Sequence, residues 1–206
     1  MFELPQFQEQ PRERADAARN RERILAAAGT LVDECGGIDG VSMDDVAKRA
    51  EVGTGTLYRR FGDRAGLAFA LLDDQTKDFQ NALISGPPPL GPGVPAAERL
   101  HAFGAGFLDL LETHAELMVA AAPTVRESAG VLALYTTHLR ILLEEAAPHL
   151  DARYTAESLI AMLDPAQHLR MRRLLGYSVD QLVRGWDQLV EALTRAPKHR
   201  PLGDAS

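Results

Sequence analysis

Ser42-Met-Asp-Asp-Val-Ala-Lys-Arg-Ala-Glu-Val-Gly-Thr-Gly-Thr-Leu-Tyr-Arg-Arg-Phe-Gly-Asp-Arg64 is the stretch that decides the fold. It reads as two short helices joined by a tight turn. Ser42 is placed to cap the first helix. Asp44 and Asp45 fall in its first turn, where the positive end of the helix dipole favours carboxylates. Val46, Ala47 and Ala50 share one apolar face. Val52-Gly53 interrupts that pattern, and the turn is expected there because glycine accepts backbone angles that other residues resist. A second helix follows from about Thr54 to Phe61, with Leu57 and Phe61 four apart on its inward side. Thr54, Thr56, Tyr58, Arg59 and Arg60 are left for the outside. Hydroxyls, a phenol and guanidinium groups on a helix anchored by small apolar residues suit a helix-turn-helix that enters a DNA groove.

Toward the N-terminus, Ile24, Leu25, Ala28, Leu31, Val32 and Cys35 make a helical stripe over 20–35, stopped by Gly36-Gly37. Cys35 ends the stripe and is expected to be a small buried hydrophobe. As the single cysteine, it forms no internal disulfide. Ile24, Leu31, Val46, Leu57 and Phe61 should form one small core. Between Pro11 and Arg23 stand five arginines, Arg12, Arg14, Arg19, Arg21 and Arg23. Such a run is either a solvated helix start or an arm near the DNA backbone or minor groove. Arg19 and Arg23 share a helix face and are the better placed to meet phosphate. Residues 1–10 read as unstructured.

The net charge of −7 argues against a DNA binder only until it is divided along the chain. Residues 11–64 hold ten Arg or Lys and ten Asp or Glu, so the acidity lies outside them. A helix-turn-helix needs local cations facing phosphate, not a basic whole. The N-terminus has no basic segment or apolar core of a secretory signal, and no apolar run approaches the roughly 20 residues that span a bilayer. The expectation is a cytoplasmic protein with no membrane partner.

Toward the C-terminus the pattern stays helical. Gly62 should end the second helix of the motif and Asp63 cap another over about 64–84. Residues 85–95, rich in Pro and Gly, form a loop. A helix from Pro95 or Ala96 shows Leu100, Phe103, Phe107, Leu110 and Leu111 on one face. A shorter one carries Leu117, Met118 and Val119 and should end before Pro123. The segment 124–146 is apolar nearly all round and is expected to be central. Residues 152–174 read as a helix broken at Asp164-Pro165, and 178–195 as a final helix with the stripe Val179, Leu182, Val183, Trp186, Leu189, Val190 and Leu193. The fold class is all-α. The division is a flexible arm over 1–18, a three-helix DNA-binding domain over 19–66, a larger helical regulatory and dimerisation domain over 67–197, and a disordered tail over 198–206.

Residues 52–67, Val-Gly-Thr-Gly-Thr-Leu-Tyr-Arg-Arg-Phe-Gly-Asp-Arg-Ala-Gly-Leu, closely resemble the recognition-helix signature of the tetracycline-repressor-like (TetR) family of transcription regulators. The resemblance covers roughly 20–70. Gly53 departs from it, standing where the family often carries a hydroxyl. The resemblance implies a double-stranded DNA operator contacted by Arg19, Ser42, Lys48, Gly53, Thr54, Gly55, Thr56, Tyr58, Arg59 and Arg64. Tyr58 and the cations would hold phosphate, which sets register rather than sequence choice. Thr54 and Thr56 would reach base edges or a thymine methyl, or else simply cap the helix. The resemblance further implies a homodimer through the last two helices, on palindromic half-sites roughly 34–36 Å apart or a multiple. It also implies a repressor that leaves its operator when a small hydrophobic effector binds.

Candidates for the effector pocket are Phe103, Phe107, Met118, Tyr135 and Trp186 as apolar lining, with His101, His114, Arg126 and His138 as polar groups. The same aromatic stripes also serve as plain core, and Trp186 suits the dimer interface, the pocket or the subunit core alike. The alternative function is a DNA-binding dimer whose second domain only dimerises. An enzyme is disfavoured: no nucleophile turn and no zinc-ligand spacing is present. Asp73, Asp74 and Asp78, and the pair Glu112 and Glu116, read as solvated helix faces. No cofactor and no metal is implied.

Overall fold

The structure, a computed structural model, describes residues 11–127 and 130–195, the side chains of 11–15, 74–75, 126–127 and 131 aside. The described residues form α1 (Pro11–Cys35), a 3₁₀ turn (Ile38–Gly40), α2 (Met43–Arg49), α3 (Thr54–Phe61), α4 (Arg64–Ser85), α5 (Ala96–Glu127), α6 (Gly130–Ala146), α7 (Ala152–Met162), α8 (Pro165–Arg173) and α9 (Val179–Thr194), with no strand among them. The all-helical reading holds.

The helix start near Asn20 moves to Pro11. The Arg, Glu and Ala of 11–18 are good helix formers, and Arg19 pairs with Asp16 a turn before the stripe. Residues 1–10 and 196–206, the rest of the expected arm and tail, lie outside the described residues.

The turn of the motif is built differently from expectation. Gly53 has φ −69° and ψ 137°, which any residue adopts. The left-handed residue is Glu51, at φ 52°. Its N–H donates to the Lys48 carbonyl (3.1 Å), and the Val52 N–H to that of Ala47 (3.0 Å). This is a Schellman ending with glutamate where glycine is usual. Arg23 of α1 fastens it, donating through Nη2 to the Ala50 carbonyl at 2.6 Å. Gly62 does need its freedom: at φ 78° it ends α3, its N–H on the Tyr58 carbonyl at 2.8 Å. Ser42 caps α2 by accepting from the Asp45 N–H (3.0 Å), and Asp63 caps α4 by accepting from the Gly66 N–H (2.9 Å).

Ile24, Ala28, Val46, Leu57, Leu67 and Ala68 form the centre of one core and are fully buried. Leu117 and Ala121 of α5 complete it, so this core draws on both sides of the expected boundary at 66/67, which falls inside α4. Cys35 is exposed, contrary to expectation: the last turn of α1 runs past the core and rests its Cβ near Gly40.

A second core surrounds α5, on which α4, α6, α8 and α9 all pack. α5 does not stop before Pro123 but continues through it to Glu127. The bond lost is that to the Val119 carbonyl. Val119 and Pro123 are both exposed, so water can serve the carbonyl there. The helix expected over 124–146 is therefore α6 alone, over 130–146. Nor is α6 central: Tyr135, Leu139, Leu142 and Leu143 are buried, while Leu132 and Ile141 are exposed. The break at Asp164-Pro165 separates α7 from α8, with Asp164 capping α8.

Gly104 explains why α9 lies where it does. The Trp186 Nε1–H donates to the Leu100 carbonyl of α5 at 2.9 Å. A Cβ on Gly104 would overlap the indole Nε1 and Cδ1 atoms. Trp186 is thus a buried core residue of the subunit, stacked in tilted contact with Phe103.

Candidate functional site

α3 has one buried residue, Leu57, which is fully inaccessible. Burying one leucine contributes about 1.5–3 kcal/mol, enough to fix the register of an eight-residue helix. Everything else follows from that anchor. Tyr58 is 47% exposed, Arg59 and Arg60 are exposed beside it, and Thr54 and Thr56 are half-buried at the N-terminal end. Nothing lies within 4 Å of where a Cβ would stand on Gly53 or Gly55. No side chain caps α3, so its first N–H groups point outward with the positive end of the dipole. This end of the helix can receive phosphate or a base edge.

The other predicted DNA residues surround this helix with differing freedom. Lys48 is exposed on the last turn of α2. The Ser42 hydroxyl is already occupied, donating to the Asp45 carboxylate at 2.6 Å. Arg19 pairs with Asp16. Arg64 donates from Nη1 to the Asp39 carbonyl (3.0 Å) and pairs with the Asp39 carboxylate (3.2 Å), tying the start of α4 to the 3₁₀ turn. Two positions were not singled out as contacts: Arg60, exposed at the end of α3, and Arg49, held by Glu34 at 2.7 Å.

Behind α4 lies a cavity of about 470 Å³, within the range that holds drug-sized ligands. Phe69, Leu72, Asp73 and Thr76 of α4 form one wall. Phe107, Met118, Ala122 and Val125 of α5, Leu132 and Tyr135 of α6, and Ile160, Ala161, Leu163, Asp164 and Pro165 at the α7–α8 break form the rest. Of the predicted pocket residues the structure brings Phe107, Met118 and Tyr135 to this cavity. Phe103 is buried behind them, stacked on Phe107 with ring centroids 5.6 Å apart. His138 stacks on Phe103, and its Nε2 is buried without a partner; burial, with Arg99 adding to it, pushes its pKa down to about 4. His114 lines a separate groove against α1. His101 binds Asp187 at 2.7 Å. The Arg126 side chain lies outside the described residues.

The α4 wall was missed because α4 read only as a connector. Its signal was Thr76, a hydroxyl in the apolar stripe, which is buried and donates to the Leu72 carbonyl at 2.9 Å while accepting from Gln80 at 3.2 Å. Asp73, read as a solvated residue, lies on the cavity wall.

Glu112 and Glu116 are likewise not merely solvated. Glu112 accepts from Arg172 Nε and Nη2, both at 2.8 Å, and from the buried His168 at 3.2 Å; Glu116 pairs with Arg173. The Arg172 hydrogen bonds hold the Glu112 carboxyl below its usual range, and burial lowers His168. Glu116 also abuts the 3₁₀ turn's approach, 2.6 Å from where a Gly37 Cβ would stand. Among the described residues no group of three or more His, Cys, Asp or Glu could hold a metal, and no helix is long and apolar enough to cross a membrane.

Comparison with known proteins converges on this N-terminal unit. The family model for bacterial regulatory proteins, tetR family, matches residues 24–71. The HTH-type transcriptional regulator SAB2452 of Staphylococcus aureus (strain bovine RF122 / ET3-1) is 41% identical over 66 residues, 32% of this chain and 35% of that protein. The HTH-type transcriptional regulator SAUSA300_2515 of S. aureus (strain USA300) is 42% identical over 59 residues, 29% of this chain and 31% of its own. The chain thus spans about a third of the length of the curated relatives it matches. Solved structures agree over more of the fold. The fatty acid degradation regulator FadR from Bacillus halodurans superposes with a TM-score of 0.60 at 21% identity, covering 83% of this chain and 94% of that one. NalD, the secondary repressor of the MexAB-OprM multidrug efflux pump in Pseudomonas aeruginosa, does so with 0.57 at 16%, covering 86% and 96%. These likenesses extend the architecture, an N-terminal helix-turn-helix domain and a larger helical domain, across the chain. Over residues 24–71, the chain is thus similar to the tetR family of bacterial regulatory proteins.

Proposed function

We propose that this protein is a dimeric, ligand-responsive DNA-binding regulator of transcription, acting as a repressor. The observation that carries this reading is α3, with Thr54, Thr56, Tyr58, Arg59 and Arg60 projecting from a helix held by buried Leu57. Arg59, Lys48 and Tyr58 meet phosphate, and Thr54, Gly55 and Thr56 enter the major groove. One such unit buries little surface, so useful affinity comes from two. The exposed Met162, Leu174, Leu175 and Tyr177, around α8 and the approach to α9, supply apolar area for a homodimer through the last helices.

The cavity favours a regulator over a protein whose second domain only dimerises. Its α4 wall belongs to the helix whose first residue, Arg64, grips the 3₁₀ turn of the DNA-binding half. A ligand that fits the cavity better when α4 is displaced moves the two recognition helices off their half-site spacing. It does so only to the extent of its differential affinity for the two states. Selection of bound DNA from a random pool tests the first part: a palindromic site is expected. Tyr58→Ala should lose that binding while remaining folded. Recovery of no preferred sequence, or full binding by the folded variant, would overturn the DNA reading.

A further inference from the structure

The geometry points to a lipophilic cation, such as an amine or onium ion carrying aromatic rings, as the class of ligand taken by the cavity behind α4. The inference rests on the reading of that cavity as the effector site. The wall is overwhelmingly hydrocarbon, and its charged groups all have one sign: Asp73 from α4 and Asp164 at the α7–α8 break. No Lys, Arg or His stands among the described residues that line it.

The carboxylates keep acceptor capacity. Asp164 uses Oδ1 to cap α8, accepting from the Gln167 N–H at 2.8 Å, so its negative charge already offsets the positive end of that short helix. Asp73 has Lys77 as a neighbour, with Nζ 3.8 Å from Oδ2, a loose pair between half-exposed side chains. Such a pair is weak in water and leaves the carboxylate able to face a second cation. The polar groups deeper in the wall are committed elsewhere. Thr76 donates to the Leu72 carbonyl, and Gln80 spans Thr76 (3.2 Å) and the Tyr135 hydroxyl (3.5 Å). Rings are therefore received by Phe69, Phe107, Met118 and Leu132, while charge is selected at Asp73 and Asp164. A fatty acid or other anion of the same shape would bring its charge to two carboxylates and gain no counter-ion from the described wall.

The test uses two ions of one shape and opposite charge, tetraphenylphosphonium and tetraphenylborate, titrated calorimetrically into the full chain. Three proteins are compared: the parent, the double variant Asp73→Asn with Asp164→Asn, and Ala122→Phe. Asparagine keeps the cap of α8, so the double variant changes charge with little change of shape. Ala122→Phe fills the cavity. The expected result is that the phosphonium-to-borate affinity ratio falls roughly 10-fold in the double variant, and that Ala122→Phe loses both ions. A ratio unchanged in the double variant overturns the charge inference and leaves the cavity reading standing. Binding of neither ion to the parent, or undiminished binding to folded Ala122→Phe, overturns both.

Discussion

Replacing Gly104 with alanine should destabilise the protein, although alanine is the better helix former. The helix-propensity gain is about 1 kcal/mol. Against it, the new Cβ overlaps the Trp186 indole, which is buried. Overpacking of this kind costs about 1–3 kcal/mol. If the ring shifts, the bond from Nε1–H to the Leu100 carbonyl breaks and leaves a buried donor unmet, which costs about 1–3 kcal/mol more. The net expectation is a loss of about 1–5 kcal/mol, summed from these terms. Trp186 is the single tryptophan, so its emission reports the same event directly. Urea unfolding followed by fluorescence should show a lower midpoint, and the folded-state emission should move to longer wavelength. A variant as stable as the parent, with unmoved emission, would show that α5 and α9 are not locked by this contact.

Three further outcomes follow from the structure. Glu51→Gly, which relieves a left-handed glutamate in the motif's turn, should raise stability by about 0.5–1 kcal/mol; a loss would mean that the 3.6 Å Arg23–Glu51 pair outweighs the backbone strain. His138 has a folded-state pKa of about 4, below its free value of 6.5, so unfolding takes up a proton between those values and stability falls as pH drops through that window. The parent should lose about 2–3 kcal/mol more than His138→Leu between neutral pH and about pH 4 in urea titrations; equal losses would refute the assignment. Glu112→Ala removes the acceptor of Arg172 and His168, and should lower the thermal midpoint by an amount that shrinks at high salt; a loss independent of salt would place its role in packing instead.

The motif was legible because its signals are local. Ser42 and Asp63 cap through partners three residues away, and Leu57 and Phe61 declare their face by a spacing of four. Such contacts close within one or two turns of chain, so the sequence carries them nearly complete. Even there one detail was misplaced. Gly53 drew the turn by its composition, while the left-handed backbone fell on Glu51, next to the Ala50 carbonyl that Arg23 holds from 27 residues away.

The sequence by itself determined an all-helical chain, the helix that presents Thr54, Thr56 and Tyr58, and the breaks at Gly62 and Asp164-Pro165. The tertiary structure alone decided the cavity, because its wall gathers residues from Phe69 to Pro165 on five helices, and an empty volume is fixed by how distant side chains fail to fill space. It also decided that Trp186 is core, since only the approach of α9 to Gly104 shows where the indole lies. Likewise Glu112 and Glu116 became partners of Arg172 and Arg173 only when α8 folded back on α5, a pairing across about 60 residues that no periodicity encodes.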